Sequence, residues 1–281
     1  MDKVYYYNRK GQLKLTINEA PYFMQMDTGE FKNNSWDYDQ QYGKYRNFRR
    51  NKTVYPFSVI IKSNDDKDYD ALCDIFSEDA LAGEPGYFLI NGWKLECIIV
   101  KAEHQFIGRR DVVINFEALA VDSTWTRSET KSYNGIAGGG DGSDVDYGRD
   151  YSYVNGVLGR GYNYGYSVTD NHYAVMELTG PDNGFELLVY GPQVNPVIYL
   201  NDYPIQVNIN LLAGETLKVV SNGRIKTIKK YSSTGIETDA FIYRSKEYTP
   251  FISLDQRTEL TFGKIKFDFT TIERRSEPSW T

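Results

Sequence analysis

Residues 133–166 read YNGIAGGGDGSDVDYGRDYSYVNGVLGRGYNYGY, with 10 Gly and 7 Tyr in 34 positions and almost no aliphatic side chain. A stretch so poor in aliphatics cannot bury enough apolar surface to build a core, and its glycines leave the backbone permissive. On either side lie strand-rich segments of ordinary domain size. The chain of 281 residues therefore reads as three parts: a module over 1–130, a Gly/Tyr-rich connector over 131–166, and a second module over 167–281. Two β-rich modules on a tyrosine-studded connector form a layout suited to assembly, not to catalysis.

Working back from the connector, one helix stands out in the first module, near residues 65–82. Ser63 or Asn64 is placed to cap it, and Asp65 and Asp66 suit its positive end. Tyr69, Leu72, Cys73 and Phe76 fall on one face at i, i+3, i+4 and i+7. Gly83 is placed to stop the helix and Pro85 to prevent its resumption. Tyr87–Ile90 and Trp93–Ile99 then flank Asn91-Gly92, the residue pair of a type I′ hairpin turn. Leu13, Leu15 and Ile17 alternate as in a half-buried strand. Residues 53–62 and 112–121 are further strands, with Pro56 marking an edge or a bulge. Residues 20–50 are polar, aromatic and charged, and read as a long exposed loop or arm.

Forward of the connector the pattern is all-β. Phe185–Tyr190 and Pro196–Asn201 are strands separated by Gly-Pro and Asn-Pro turn signals. Ile205, Val207, Ile209 and Leu211 alternate with Gln206, Asn208 and Asn210. Residues 217–221 and 224–229 form a hairpin about Asn222-Gly223. Ile265, Phe267 and Phe269 alternate near the end. Short antiparallel strands at this spacing predict a sandwich.

Bulk properties exclude several classes. Hydrophobic residues at 41% and charged residues at 25% describe a soluble globular chain. A net charge of −6 lacks the basic footprint of a nucleic-acid binder. The short clusters Arg46, Arg49, Arg50, Lys52 and Arg109, Arg110 read as solvated surface. No apolar run reaches the roughly 18 residues of a membrane span. The first residues lack the apolar core of a signal peptide, so synthesis in a cytoplasm without membrane insertion is expected.

Candidates for chemistry are sparse. His104 and His172, one in each module, are thin material for a triad or a multi-histidine metal site. Cys73 and Cys97 read as small buried hydrophobes. Asp141, Asp144, Asp146 and Asp150 suggest calcium only loosely, because no bidentate Glu follows at the required distance. Gly138–Gly140 and Gly159-Arg160-Gly161 lack the lysine and helix of a phosphate loop. No catalytic residue, cofactor or metal is predicted. For sugar stacking, Trp36, Trp93, Trp125 and Trp280 are the aromatics to examine, although a Trp in a strand commonly packs into a core. Gln206, Asn208 and Asn210 present polar groups on one strand face, which suits a sugar or partner contact and equally suits a solvated sandwich face.

A family resemblance rests on a succession of segments. In the second half these are Asn183-Gly184-Phe185-Glu186-Leu187, Val189 to Ile198 (VYGPQVNPVI), Leu212-Ala213-Gly214-Glu215-Thr216-Leu217, Arg224 to Ile228, and the closing Glu273 to Trp280 (ERRSEPSW). In the first half they are the helix, Gly86 to Ile90 (GYFLI), the strand with Cys97, and Phe116-Glu117-Ala118 leading to Trp125-Thr126. This arrangement resembles the distal tail protein (Dit) family of long-tailed, non-contractile phages, especially those infecting Gram-positive bacteria. The resemblance implies an N-terminal ring-forming β module with one α-helix and a C-terminal galectin-like β-sandwich. It also implies a homo-hexameric ring at the distal end of the virion tail, joining the major tail (tube) protein to a tail-associated tip protein, with a receptor-binding protein as a peripheral partner. DNA would pass the central channel without specific binding. The alternative is a carbohydrate-binding module of a tail or baseplate contacting the host cell surface, with Gln206, Asn208, Asn210 and Trp36 as candidate contacts. A cell-envelope hydrolase ranks below both.

Overall fold

A computed structural model of the chain describes residues 2–26, 30–32, 36–50, 53–62, 66–107, 111–135, 172–223 and 225–278. Two compact units emerge, Met1–Arg127 with Arg274–Thr281, and Ser128–Glu273. Of the connector, 136–166 lies outside the described residues, and 131–134 complete a strand. Residues 274–281, placed by sequence with the second module, group with the first unit. There the Arg274 guanidinium donates to Asp122 Oδ2 at 2.9 Å, and that of Arg275 lies 5.4 Å from the Trp93 ring centroid.

The first unit is built from β1 (Val4–Tyr7), β2 (Leu13–Ile17), β3 (Tyr22–Met24), β4 (Trp36–Gln41), β5 (Lys44–Arg50), β6 (Val54–Ile61), α1 (Asp66–Ala82), β7 (Gly86–Ile90), β8 (Trp93–Ile107), β9 (Asp111–Ala120) and the start of β10 (Trp125–Asn134). Strand pairing follows two antiparallel paths, β10-β8-β7-β1-β2 and β3-β6-β9-β8. The long strand β8 serves both, with a register shift between Ile99 and Lys101 where it pairs with β9. Asn91 and Gly92 have positive φ values of 49° and 79°, as a type I′ turn between β7 and β8 requires.

Helix α1 spans the predicted stretch, although its predicted cap, Ser63 to Asp65, lies outside the described residues. Leu72 and Phe76 are buried and Cys73 is half-buried; nothing is described of the Tyr69 side chain. At its end Gly83 N–H donates to the Ala80 carbonyl, and Glu84 N–H reaches back to that of Asp79. With Gly83 at φ 65°, this is a Schellman stop that only glycine enters without strain. The helix closes over an aromatic core: Phe76 meets Phe116 edge-on at 5.1 Å, and Phe57 stacks on Phe116 at 5.2 Å.

Pro56 lies on β6, which pairs with β9 along its whole length. On the other side β3 covers Val59–Ile61, so Pro56 falls where that side of β6 is open among the described residues, a position that needs no N–H donor.

Residues 20–50 differ from the expected exposed loop in two ways. Phe31 is fully buried, packed among Tyr55, Phe57, Phe88 and Trp125. A single aromatic among polar residues has no periodicity to announce it. Beyond it, β4 and β5 form a hairpin whose register shifts between Asp37 and Asp39 and which turns at Tyr42 and Gly43, with φ of 50° and 72°.

The second unit takes the rest of β10 and then β11 (His172–Glu177), β12 (Asp182–Tyr190), β13 (Gln193–Val194), β14 (Val197–Leu200), β15 (Tyr203–Gln206), β16 (Asn210–Leu211), β17 (Thr216–Asn222), β18 (Ile225–Tyr231), β19 (Glu237–Asp239), β20 (Arg257–Phe262) and β21 (Lys266–Arg275). One sheet runs β19-β18-β17-β12-β21-β10 and the other β11-β20-β14-β15. Inward side chains of both, among them Phe185, Val219, Phe267 and Phe269 from the first and Ile198, Leu200, Leu260 and Phe262 from the second, form one apolar core. This is the antiparallel sandwich the alternation predicted. The stretch 205–211 is not one strand, however. Its apolar side chains are all buried, but β15 pairs with β14 and β16 pairs with β13. The chain changes sheet at Val207, which bridges to Arg244.

Candidate functional site

That change of sheet makes a groove. After Val207 backbone bonds hold the chain to its neighbours: Asn208 N–H donates to the Tyr243 carbonyl at 2.7 Å, and Asn195 N–H to that of Ile209 at 3.0 Å. Segments 193–195, 206–210 and 239–244 are thereby tied side by side. Between them and the β17–β18 hairpin lies a cavity of about 780 Å³ lined by Asn195, Asn208, Asn210, Thr238 and Tyr243, with Glu215 and Lys230 at one wall. A second hollow of about 420 Å³ shares Asn208 and Tyr243 and adds Gln206, Arg244 and Lys246. Gln206, Asn208 and Asn210, taken from sequence as neighbours on one face, thus line two hollows that meet at Asn208. Gln206 Nε2 donates to Asn208 Oδ1 at 2.9 Å.

The charges at the groove are arranged in pairs. Lys230 Nζ lies 2.6 Å from Glu215 Oε2, and the same carboxylate accepts from Leu212 N–H at 2.7 Å. The bond from the Leu212 backbone, and then Lys230, hold the Glu215 carboxyl below its ordinary value. Asp239 accepts from Phe241 N–H at 2.8 Å. Tyr243, which sequence reasoning missed, is 48% exposed. The run Ala240-Phe241-Ile242-Tyr243 carries the composition of a buried strand, so nothing in the pattern marks Tyr243 as an open aromatic face.

Trp36 belongs to the other unit, where it begins β4 and is 50% exposed. Around it the β4–β5 hairpin shows Tyr38, Tyr42 and Tyr45 to solvent, with Tyr38 and Tyr45 edge-to-face at 5.1 Å. In the hairpin's backbone register Asp39 stands opposite Arg46. Its strands pair with each other and, among the described residues, with no further strand.

The remaining candidates have other places. Trp93 and Trp125 are fully buried core residues and offer no stacking face; Trp280 lies outside the described residues. His104 is exposed on β8, and His172 stacks on Phe262 at 5.2 Å. Burial pushes the Cys97 thiol well above its ordinary value, and burial with Asp70 and Asp74 raises that of Cys73. Neither is set up as a thiolate nucleophile. Asp141, Asp144, Asp146, Asp150, the two glycine clusters, Lys52, Arg109 and Arg110 lie outside the described residues. No helix among the described residues is long and apolar enough to cross a membrane.

No family model and no curated protein matches the sequence. Solved structures do match. A chain of the phage P2 baseplate in its activated conformation with calcium superposes with a TM-score of 0.57 at 10% identity, covering 99% of each chain. The SPP1 Dit protein, described as a paradigm of hub adsorption apparatus in Gram-positive infecting phages, superposes with a TM-score of 0.52 at 10% identity, covering 98% of this chain and 99% of the other. The fold is that of a Dit protein. Because the match takes in nearly the whole of each chain, the Dit fold here includes both units. At such low identity the likeness lies in the path of the backbone and carries nothing over to the side chains of the groove and hairpin.

Proposed function

We propose that this chain is a structural distal tail protein, a ring-forming hub at the tip of a non-contractile phage tail. The observation that carries the reading is coverage: baseplate and hub chains match it over 98–99% of its length, so the likeness is to a whole architecture and not to a common sandwich. In this reading six copies of the first unit close a ring around a channel, and the second unit, which begins at Ser128 ahead of the Gly/Tyr-rich stretch, is the galectin-like module. One ring face meets the tail tube protein and the other the tail-associated tip protein. A receptor-binding protein attaches at the periphery, and DNA crosses the channel unbound.

Physical features support self-assembly. A two-stranded hairpin is marginal alone in water, yet β4–β5 carries four exposed aromatic side chains, Trp36, Tyr38, Tyr42 and Tyr45. A neighbouring subunit that covers them supplies the burial the hairpin lacks, and a head-to-tail contact of this kind closes into a ring. The net charge of −6 suits a conduit that does not retain phosphates. The reading assigns no catalysis, in keeping with two thiols raised by burial.

Light scattering across micromolar concentrations, with electron microscopy of the same sample, tests it. Six-fold rings with six times the 32.3 kDa chain mass are the expected result. A monomer that also fails to close on a tube or tip partner overturns it.

A further inference from the structure

We propose that the groove between segments 193–195, 206–210 and 239–244 is a binding site for a neutral oligosaccharide. The proposal stands apart from ring assembly: mass reports the hub and sugar titration reports the groove, so either can fail alone.

Size and shape come first. At about 780 Å³ the cavity falls in the range of small-molecule sites, roughly 300–1,000 Å³. Its floor is set by backbone bonds from Asn195 and Asn208, so little ordering remains for a ligand to impose.

The lining has the chemistry of sugar recognition. Hydroxyl groups donate and accept at once, and a carboxamide matches them with two N–H donors and a carbonyl. The side chains of Asn195 and Asn210 make no hydrogen bond to other described residues. Asn208 uses its Oδ1 to accept from Gln206 and keeps its amide N–H groups for a ligand. Thr238 adds a hydroxyl. Tyr243 supplies the remaining element, a half-exposed ring at the point shared by the two hollows. A sugar's C–H face packs on such a ring while the phenol, unpaired among the described residues, reaches a hydroxyl.

Charge selects the neutral class. Lys230, the cation of the main cavity, is held by Glu215 at 2.6 Å, and Asp239 adds a further carboxylate. In the second hollow Arg244 and Lys246 stand with Glu247, so over the whole groove the charges balance and offer a phosphate-bearing polymer no net attraction. A docked protein would want a buried aromatic or Arg anchor, whereas the aromatic of this groove, Tyr243, is half-exposed and stands among carboxamides.

The test uses the full chain, titrated by calorimetry and saturation-transfer NMR with cellotetraose, maltotetraose and chitotetraose, and with a glycerol-phosphate oligomer as the anionic probe. The expected result is saturable binding of at least one neutral tetrasaccharide. Asn210→Ala, a change at an exposed side chain, should weaken it roughly five- to tenfold. Tyr243→Ala should weaken it at least as much, while Tyr243→Phe retains most of it, and circular dichroism should show all three variants folded. Absence of binding by every neutral probe overturns the proposal. So does binding of the anionic oligomer alone, or an affinity that neither Asn210→Ala nor Tyr243→Ala changes. Hydrogen-exchange protection of 206–210 and 239–244 by a tail protein, with no sugar signal, would make the groove a protein interface instead.

Discussion

The phenol of Tyr6 donates a 2.6 Å hydrogen bond to Oδ2 of Asp79, and both side chains are fully buried. Oδ1 of the same carboxylate accepts from Arg9 N–H at 3.1 Å. One acid on α1 thereby ties down both β1 and the turn that follows it. Burial first, and then the bond to Asp79, push the Tyr6 phenol far above its ordinary value of 10.0. Removing the carboxylate strands the buried Tyr6 phenol and takes the acceptor from the part-buried Arg9 N–H. Asp79→Ala should therefore cost about 2–4 kcal/mol in urea unfolding. Tyr6→Phe should cost less, because Asp79 keeps Arg9. Since the folded pKa is raised, this contribution is full below about pH 10 and declines as pH rises from there. Spectrophotometric titration should find tyrosines, Tyr6 among them, that stay protonated after the exposed ones have ionised, and Tyr6→Phe should remove one from that late group.

Gly86 is the strand residue that this pair admits. A Cβ there would collide with Tyr6 Oη and lie 2.6 Å from both Asp79 Oδ2 and the Tyr7 carbonyl. The carbonyl is backbone and cannot turn aside without parting β1 from β7. Gly86→Ala should lower stability by about 2 kcal/mol or more, read as a fall in Tm. An unchanged Tm would mean that the two strands can separate at little cost.

The β4–β5 hairpin offers a sharper test of assembly than removal of the whole polar segment. Deleting 36–50 while retaining Phe31 leaves the aromatic core intact. The shortened protein should melt near the temperature of the monomeric full chain yet sediment as a monomer. Rings formed without the hairpin would remove it from the interface.

Glu215 provides a pH-dependent clamp at the groove. Its pKa is lowered from 4.5, first by the bond from Leu212 N–H and then by Lys230. The clamp is fully present above 4.5 and is lost as pH falls through the depressed folded value. The Leu212 amide resonance should report that transition with a midpoint below 4.5. In Glu215→Gln the transition should vanish while the amide stays bonded.

How far the sequence could be read depended on the range of the interactions involved. Helix α1 was legible because its apolar face recurs at helical spacing and a glycine stands at its stop, both local signals. The hairpin at Asn91-Gly92 was legible for the same reason. The hairpin at Tyr42-Gly43 was missed because a charged and aromatic strand such as β4, exposed along its whole length, lacks the alternation that marks a half-buried strand. Gln206, Asn208 and Asn210 could be named as one polar face, yet the register alone could not say what that face looks onto.

Local chemistry in the chain alone therefore determined the strand-rich character of both modules and the single helix, whereas the division at Ser128, ahead of the glycine-rich stretch, was not written there. Turn residues, alternation and helical spacing act over a few positions, and each is written in consecutive side chains. Only tertiary structure decided that Phe31 completes the first core, that Asp79 meets Tyr6, and that the chain changes sheet at Val207 and so opens the groove beside Tyr243. Each of these joins residues far apart along the chain, and their contacts exist only once the backbone has closed the loop between them.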